Sequence, residues 1–213
     1  MMAAIDPESD LVRTFARQRI LPVLTIADAG VVPALAEVLR RHGLTAVEVT
    51  LRTPAAWEAV RAFLAEGDFT VGVGTVRRGE DLARARAQGA AFAIAPGTTA
   101  ELLAAAAESP LPFVPAAATP SEMMTVAEAG FRVIKFFPAA AMGRSVLEAV
   151  RGPLPDLRFL ANGGIGPDAA GDWLALESVL AVGGSWVAPS EWLSSRAFGE
   201  IGRRLHTALQ SLP

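Results

Sequence analysis

The chain has 213 residues, 52% of them apolar and 19% charged, with no cysteine and a net charge of -3. A chain of this length buries a large core without covalent staples, and the absence of cysteine excludes disulfides and thiolate metal sites. Charges of both signs are dispersed with no basic stripe to neutralise phosphates, which argues against nucleic acid and leaves small molecules as the expected ligands. Met1 to Asp10 lacks the apolar stretch of a secretion signal, and nowhere do about 18 apolar residues run uninterrupted, so the expectation is a cytoplasmic protein with no membrane partner.

Along the chain, a first helix is expected over Pro7 to Arg17. Eight candidate strands follow: Arg19 to Thr25, Ala46 to Leu51, Thr70 to Gly74, Phe92 to Ala95, Phe113 to Ala116, Val133 to Phe137, Arg158 to Ala161 and Val179 to Val182. Their starts lie 20 to 27 residues apart, a near-regular strand-helix period. Between them run helical stretches such as Val31 to His42, Ala55 to Ala65, Gly79 to Gln88, Thr99 to Glu108 and Pro120 to Ala129. Gly43, Gly89 and Gly130 stand where three of these would end. Eight such units with apolar strands predict an α/β fold, a closed (β/α)8 TIM barrel with an extra N-terminal helix, over residues 1–213 as a single domain. The site of such a barrel lies at the C-terminal ends of the strands.

The chemistry-bearing residues are placed by that frame. In the second strand Val47-Glu48-Val49-Thr50-Leu51-Arg52 alternates, putting Glu48, Thr50 and Arg52 on one face. Either Glu48 moves protons and Arg52 grips a carboxylate, or the two form an ion pair that fills a barrel layer. Val71-Gly72-Val73-Gly74-Thr75 ends the third strand, and alternation alone leaves the direction of Thr75 open. The sixth strand carries Lys135, the one lysine among 19 basic residues. Arginine cannot supply its amine chemistry. A desolvated amine is a nucleophile that forms Schiff bases with carbonyls; the alternative is a lysine that reaches the strand end and pairs with a carboxylate. Asn162-Gly163-Gly164-Ile165-Gly166 and Gly183-Gly184-Ser185 follow the last two strands. There barrels commonly cradle phosphate on glycine N–H groups and a helix start, although tight turns would need the same glycines. His42 and His206 are the only histidines, each in or at the end of a helix, so no histidine-based metal site is expected and carbonyl activation must be organic.

These motifs, with Ile94-Ala95-Pro96-Gly97, Ile134-Lys135-Phe136-Phe137-Pro138-Ala139 and Gly183-Gly184-Ser185-Trp186, occur in order from about residue 20 to residue 190. In them the chain resembles the family of 2-keto-3-deoxy-6-phosphogluconate (KDPG) aldolase and 4-hydroxy-2-oxoglutarate (KHG) aldolase. The resemblance implies a metal-free, cofactor-free class I aldolase that assembles as a homotrimer and acts on a keto-acid sugar phosphate. It implies that Lys135 forms the Schiff base and Glu48 is the general acid/base, that Arg52 and Thr75 hold the pyruvate-side carboxylate, and that Gly163, Gly164, Gly184 and Ser185 receive the phosphate. Pro96, Phe137 and Asn162 complete the implied substrate-binding set. Competing readings are a phosphogalactonate aldolase, a sugar-phosphate isomerase or synthase on the same barrel, and a non-catalytic sugar-phosphate binder. Two stretches depart from the family pattern. Pro115-Ala116-Ala117-Ala118-Thr119 replaces a glycine-bearing loop, with strain at Ala116 if that loop needs positive φ, and Asn162 stands where the gluconate enzymes place threonine.

Overall fold

The computed structural model describes residues 4–212; Met1 to Ala3, at the start of the segment expected to carry no leader, and Pro213 lie outside the described residues. The strands are β1 (Ile20–Leu24), β2 (Ala46–Thr50), β3 (Thr70–Gly74), β4 (Phe92–Ile94), β5 (Phe113–Val114), β6 (Ala116–Ala117), β7 (Val133–Phe136), β8 (Arg158–Asn162) and β9 (Val179–Gly184). The α-helices are α1 (Asp10–Gln18), α2 (Val32–Arg41), α3 (Ala56–Ala65), α4 (Gly79–Ala87), α5 (Ala100–Glu108), α6 (Pro120–Glu128), α7 (Ala139–Met142), α8 (Arg144–Val150), α9 (Pro167–Leu174), α10 (Ser190–Ser194) and α11 (Phe198–Gln210). Gly43, Gly89 and Gly130, just past α2, α4 and α6, all have positive φ, the left-handed cap anticipated from their positions. Among the described residues, no helix is long and apolar enough to cross a membrane.

All nine strands pair in parallel, in the order β5-β4-β3-β2-β1-β9-β8-β7-β6. The two ends of that order are consecutive in the chain and separated by one residue, Pro115, so the sheet curls into a nearly closed α/β barrel. The stretch expected as one fifth strand is divided because proline has no N–H to donate to the ladder. Thr98 bridges the gap: its hydroxyl donates to the Ala116 carbonyl at 2.8 Å and accepts from the Ala116 N–H at 2.9 Å. Ala116 is therefore an ordinary strand residue. It is absent from the positive-φ positions, and the strain anticipated there does not occur.

Strand alternation sorts the apolar residues into two layers. Val47, Val49, Val71, Val73, Ile134 and Phe136 point outward and pack under the helices. Ala46, Phe92, Val133, Leu160 and Ala181 point into the lumen, where Val12 and Phe15 of α1 join them. Phe15 meets Phe92 edge-on at 5.2 Å, and Gln18 bonds the Ile20 carbonyl and both backbone groups of Ala46 at 2.7–2.8 Å. Because those are the first residues of β1 and β2, α1 stoppers the N-terminal end of the barrel. The lumen accommodates the Phe92 ring because β3 has glycine opposite it; a Cβ on Gly72 would lie 2.1 Å from a Phe92 ring carbon.

The loop after β6 is fixed by a capping box. The Glu122 carboxylate accepts from the N–H groups of Ala118 (2.8 Å) and Thr119 (2.9 Å), and the Thr119 hydroxyl caps the Glu122 N–H. These bonds, that from Ala118 first, hold the Glu122 carboxyl below the usual carboxylate range against the opposing effect of burial. A depressed carboxylate stabilises the fold above its unfolded pKa and loses that contribution as pH falls through the folded value. Glu122→Ala is expected to cost about 1 kcal/mol at neutral pH. The gap from wild type should shrink as urea melts are repeated at pH values falling below the ordinary carboxylate range; a gap independent of pH would refute this assignment.

Candidate active site

The lumen turns polar above the apolar layer. Glu48 of β2 and Lys135 of β7 are 0% and 2% exposed. The strand order puts β1, β9 and β8 between β2 and β7, so the two side chains extend from opposite walls and meet across the lumen, Lys135 Nζ donating to Glu48 Oε1 at 3.5 Å. Glu48 therefore pairs with Lys135 and forms no layer-filling ion pair with Arg52. Lys135 does not reach out to solvent; it finds its carboxylate inside. Glu48 Oε2 is buried and accepts no hydrogen bond from the described residues, a position that calls for a donor from water or ligand, since an unmet buried acceptor costs about 1–3 kcal/mol. The neighbouring hydroxyl is settled: Thr50 donates to the Leu24 carbonyl at 2.9 Å and lies 3.0 Å from Thr25 Oγ1.

Glycine again makes the room. Gly74 of β3 faces the lumen next to Glu48, and a Cβ there would lie 2.1 Å from Glu48 Oε1 and 2.5 Å from its Cγ. Just beyond, Thr75 adopts φ 62°, a left-handed conformation that costs a non-glycine residue about 1–2 kcal/mol. The twist breaks the two-residue alternation and presents Thr75 Oγ1 to Arg52 Nε at 3.2 Å. Arg52 lies past the end of β2, exposed, and forms no ion pair among the described residues.

Above Lys135 the barrel mouth opens into a cavity of about 300 Å³ lined by Arg52, Lys135, Phe137, Asn162, Gly163, Gly164 and Ser185. The Phe137 ring is 5.3 Å from Lys135 Nζ and packs against bare backbone: at Gly163, whose φ is 98°, a Cβ would touch the ring at 2.8 Å. The Asn162 amide, oriented so that its nitrogen donates to the Leu160 and Ala161 carbonyls at 3.2 Å, rests over Gly183, where a Cβ would collide with it. Gly184 lies beneath the Trp186 indole and outside the cavity wall, and Pro96 is half-buried just past β4, also outside it. Val23, Ile165 and Trp186 line the cavity as well, and sequence reasoning did not assign them. Trp186 closes the Gly183-Gly184-Ser185-Trp186 motif, which was the one available signal for it. Gly74 was missed for lack of knowing that its face is the lumen.

The arrangement joins a sequestered primary amine, a carboxylate beside it, a guanidinium at the rim with no ion pair among the described residues, and exposed glycine backbone. Together these suit covalent capture of a carbonyl compound that carries anionic ends.

The family model for KDPG and KHG aldolase matches residues 12–204. The chain is 39% identical to the KHG/KDPG aldolase of Escherichia coli (strain K12), over 90% of this chain and 91% of that one. It is 42% identical to the 2-dehydro-3-deoxy-phosphogluconate aldolase of Dickeya dadantii, over 85% and 86%. In three dimensions it is similar to the KDPG aldolase of Legionella pneumophila, solved with pyruvate captured at low pH as a covalent carbinolamine intermediate, with a TM-score of 0.89 at 35% identity over 94% of this chain and 98% of that one.

The fit between Gly74 and Glu48 is tested without reference to activity. Gly74→Ala should destabilise the protein by about 1–3 kcal/mol through overpacking, and much less on a Glu48→Ala background. A double-mutant cycle of urea melts measures that coupling; additive costs would show that the two residues do not compete for the same space.

Proposed function

We propose, since this chain belongs to the KDPG and KHG aldolase family, that it is a class I aldolase cleaving KDPG to pyruvate and glyceraldehyde 3-phosphate, and KHG to pyruvate and glyoxylate. The observation that carries the reading is the buried Lys135–Glu48 pair beneath an open cavity. Lys135 Nζ adds to the 2-keto carbon, and the resulting carbinolamine loses water to give a protonated imine. Glu48, directly or through one water, takes the proton of the C4 hydroxyl. The C3–C4 bond then breaks: its electron pair flows toward the iminium nitrogen as an enamine, while C4 leaves as the aldehyde. The protonated Glu48 returns a proton to C3, and water hydrolyses the imine to release pyruvate and the free amine.

The remaining residues bind and orient in this scheme. Arg52, aimed by Thr75, pairs with the C1 carboxylate at the mouth. Gly163, Gly164 and Ser185 offer backbone and hydroxyl donors to the phosphate, with Gly184 holding that turn against Trp186. Phe137 walls the imine from bulk water, and Asn162 lies at the height of the hydroxyl-bearing carbons. Pro96 belongs to the set through the family resemblance. We read the barrel as eightfold, with β5 and β6 as one strand broken at Pro115. The homotrimer is part of the same proposal, and light scattering at low protein concentration tests it.

Borohydride reduction in the presence of pyruvate, followed by peptide mass spectrometry, is expected to leave a reduced adduct on Lys135, the single lysine of the chain. Lys135→Arg should keep the fold and lose about 10⁴-fold or more in kcat/KM. Cleavage near the wild-type rate by that variant would overturn the covalent mechanism.

A further inference from the structure

A second void, of about 420 Å³, opens off the cavity above Lys135. It shares Arg52, Ser185 and Trp186 with that cavity and continues past Thr25 and Ser190 to Arg204 of α11. Arg204 is half-buried and firmly placed. Its guanidinium carbon lies 3.9 Å from the centroid of the Trp192 ring, and Nη1 donates to the Trp186 carbonyl at 3.2 Å. Stacking and that one bond fix the plane of the group while engaging only one of its five N–H donors. Among the described residues Arg204 forms no ion pair, and neither does Arg52 at the other end of the void.

With Arg52 assigned to the C1 carboxylate, Arg204 is the guanidinium of the void left without counter-charge, and the Ser185 hydroxyl lies on the same wall; this creates a positive potential that an apolar ligand would leave unanswered and a cation would oppose. A planar, oriented fork is the geometry that matches phosphate or carboxylate oxygens. We propose that this void is an anion subsite anchored by Arg204, which takes a phosphoryl or carboxylate group. The group comes either from the distal end of the substrate cleaved at Lys135 or from a separate small anion seated beside it. Only the first source rests on the aldolase reading.

The test uses the full chain and inorganic phosphate as probe, followed by calorimetry and by fluorescence, since Trp186 and Trp192 flank the void. Arg204→Met keeps an unbranched stem against Trp192 and removes the charge; it should weaken phosphate binding about tenfold, with Arg204→Lys recovering part of the loss. If the substrate's own phosphate fills the subsite, Arg204→Met raises KM for KDPG about tenfold with kcat retained, and phosphate competes with KDPG in the wild type. If a separate anion fills it, KM holds and phosphate acts non-competitively, an effect lost in the variant. Arg204→Gln, which keeps a donor for the Trp186 carbonyl, takes the place of Arg204→Met should that variant unfold. Unchanged phosphate affinity in either folded variant overturns the proposal. Deuterium exchange into the pyruvate methyl group requires the Lys135 imine and not Arg204. Its absence in the wild type would sink the Schiff-base reading while leaving the phosphate result to decide the subsite.

Discussion

One ammonium and one carboxylate have to be kept out of water inside this barrel, and much of the surrounding structure answers to that demand. Alone, either charge would be prohibitive to bury. Facing each other at 3.5 Å from opposite walls, each makes the other tolerable. At that separation the pair is not locked by a short hydrogen bond, and the amine stays within reach of the cavity above it, which Lys135 lines.

The constraints around the pair are mostly about space. Below it the lumen is filled from one end by α1 and the Phe15–Phe92 contact, so the open volume lies on the side where the strands end. Beside it β3 contributes two bare positions, Gly72 for the Phe92 ring and Gly74 for the Glu48 side chain. Lumen-facing residues of one strand thus decide how far two other strands can project. In the outer layer Val47, Val49, Ile134 and Phe136 anchor on their reverse faces the same two strands that carry Glu48 and Lys135.

What could be read from the sequence was what depends on period. Apolar runs 20 to 27 residues apart gave the strand-helix rhythm, and alternation within β2 put Glu48, Thr50 and Arg52 on one face, because a side chain in a regular strand has only two directions available; which face is the lumen took the closed barrel to decide. Features that depart from regular backbone were hidden. The direction of Thr75 turns on a positive φ that its residue type does not announce. The break at Pro115 depends on which neighbour each half-strand meets, and Ala116 escapes strain because Thr98, distant in sequence, satisfies its backbone. Arg204 was invisible for a similar reason: in sequence it is one of many helix-surface arginines, and only tertiary packing brings it to Trp186 and Trp192.

The break at Pro115 has a mechanical consequence. Strand pairing is intact on both sides of it, β4 with β5 and β6 with β7, and the chain runs straight through; the proline withholds only one N–H from the ladder, and just beyond it the Thr98 hydroxyl satisfies both backbone groups of Ala116. The Pro115 carbonyl in turn receives the backbone N–H of Lys135. The amine is thus hung from a residue whose own φ is locked by its ring, and the strand that carries it is registered against the stiffest point of its neighbour.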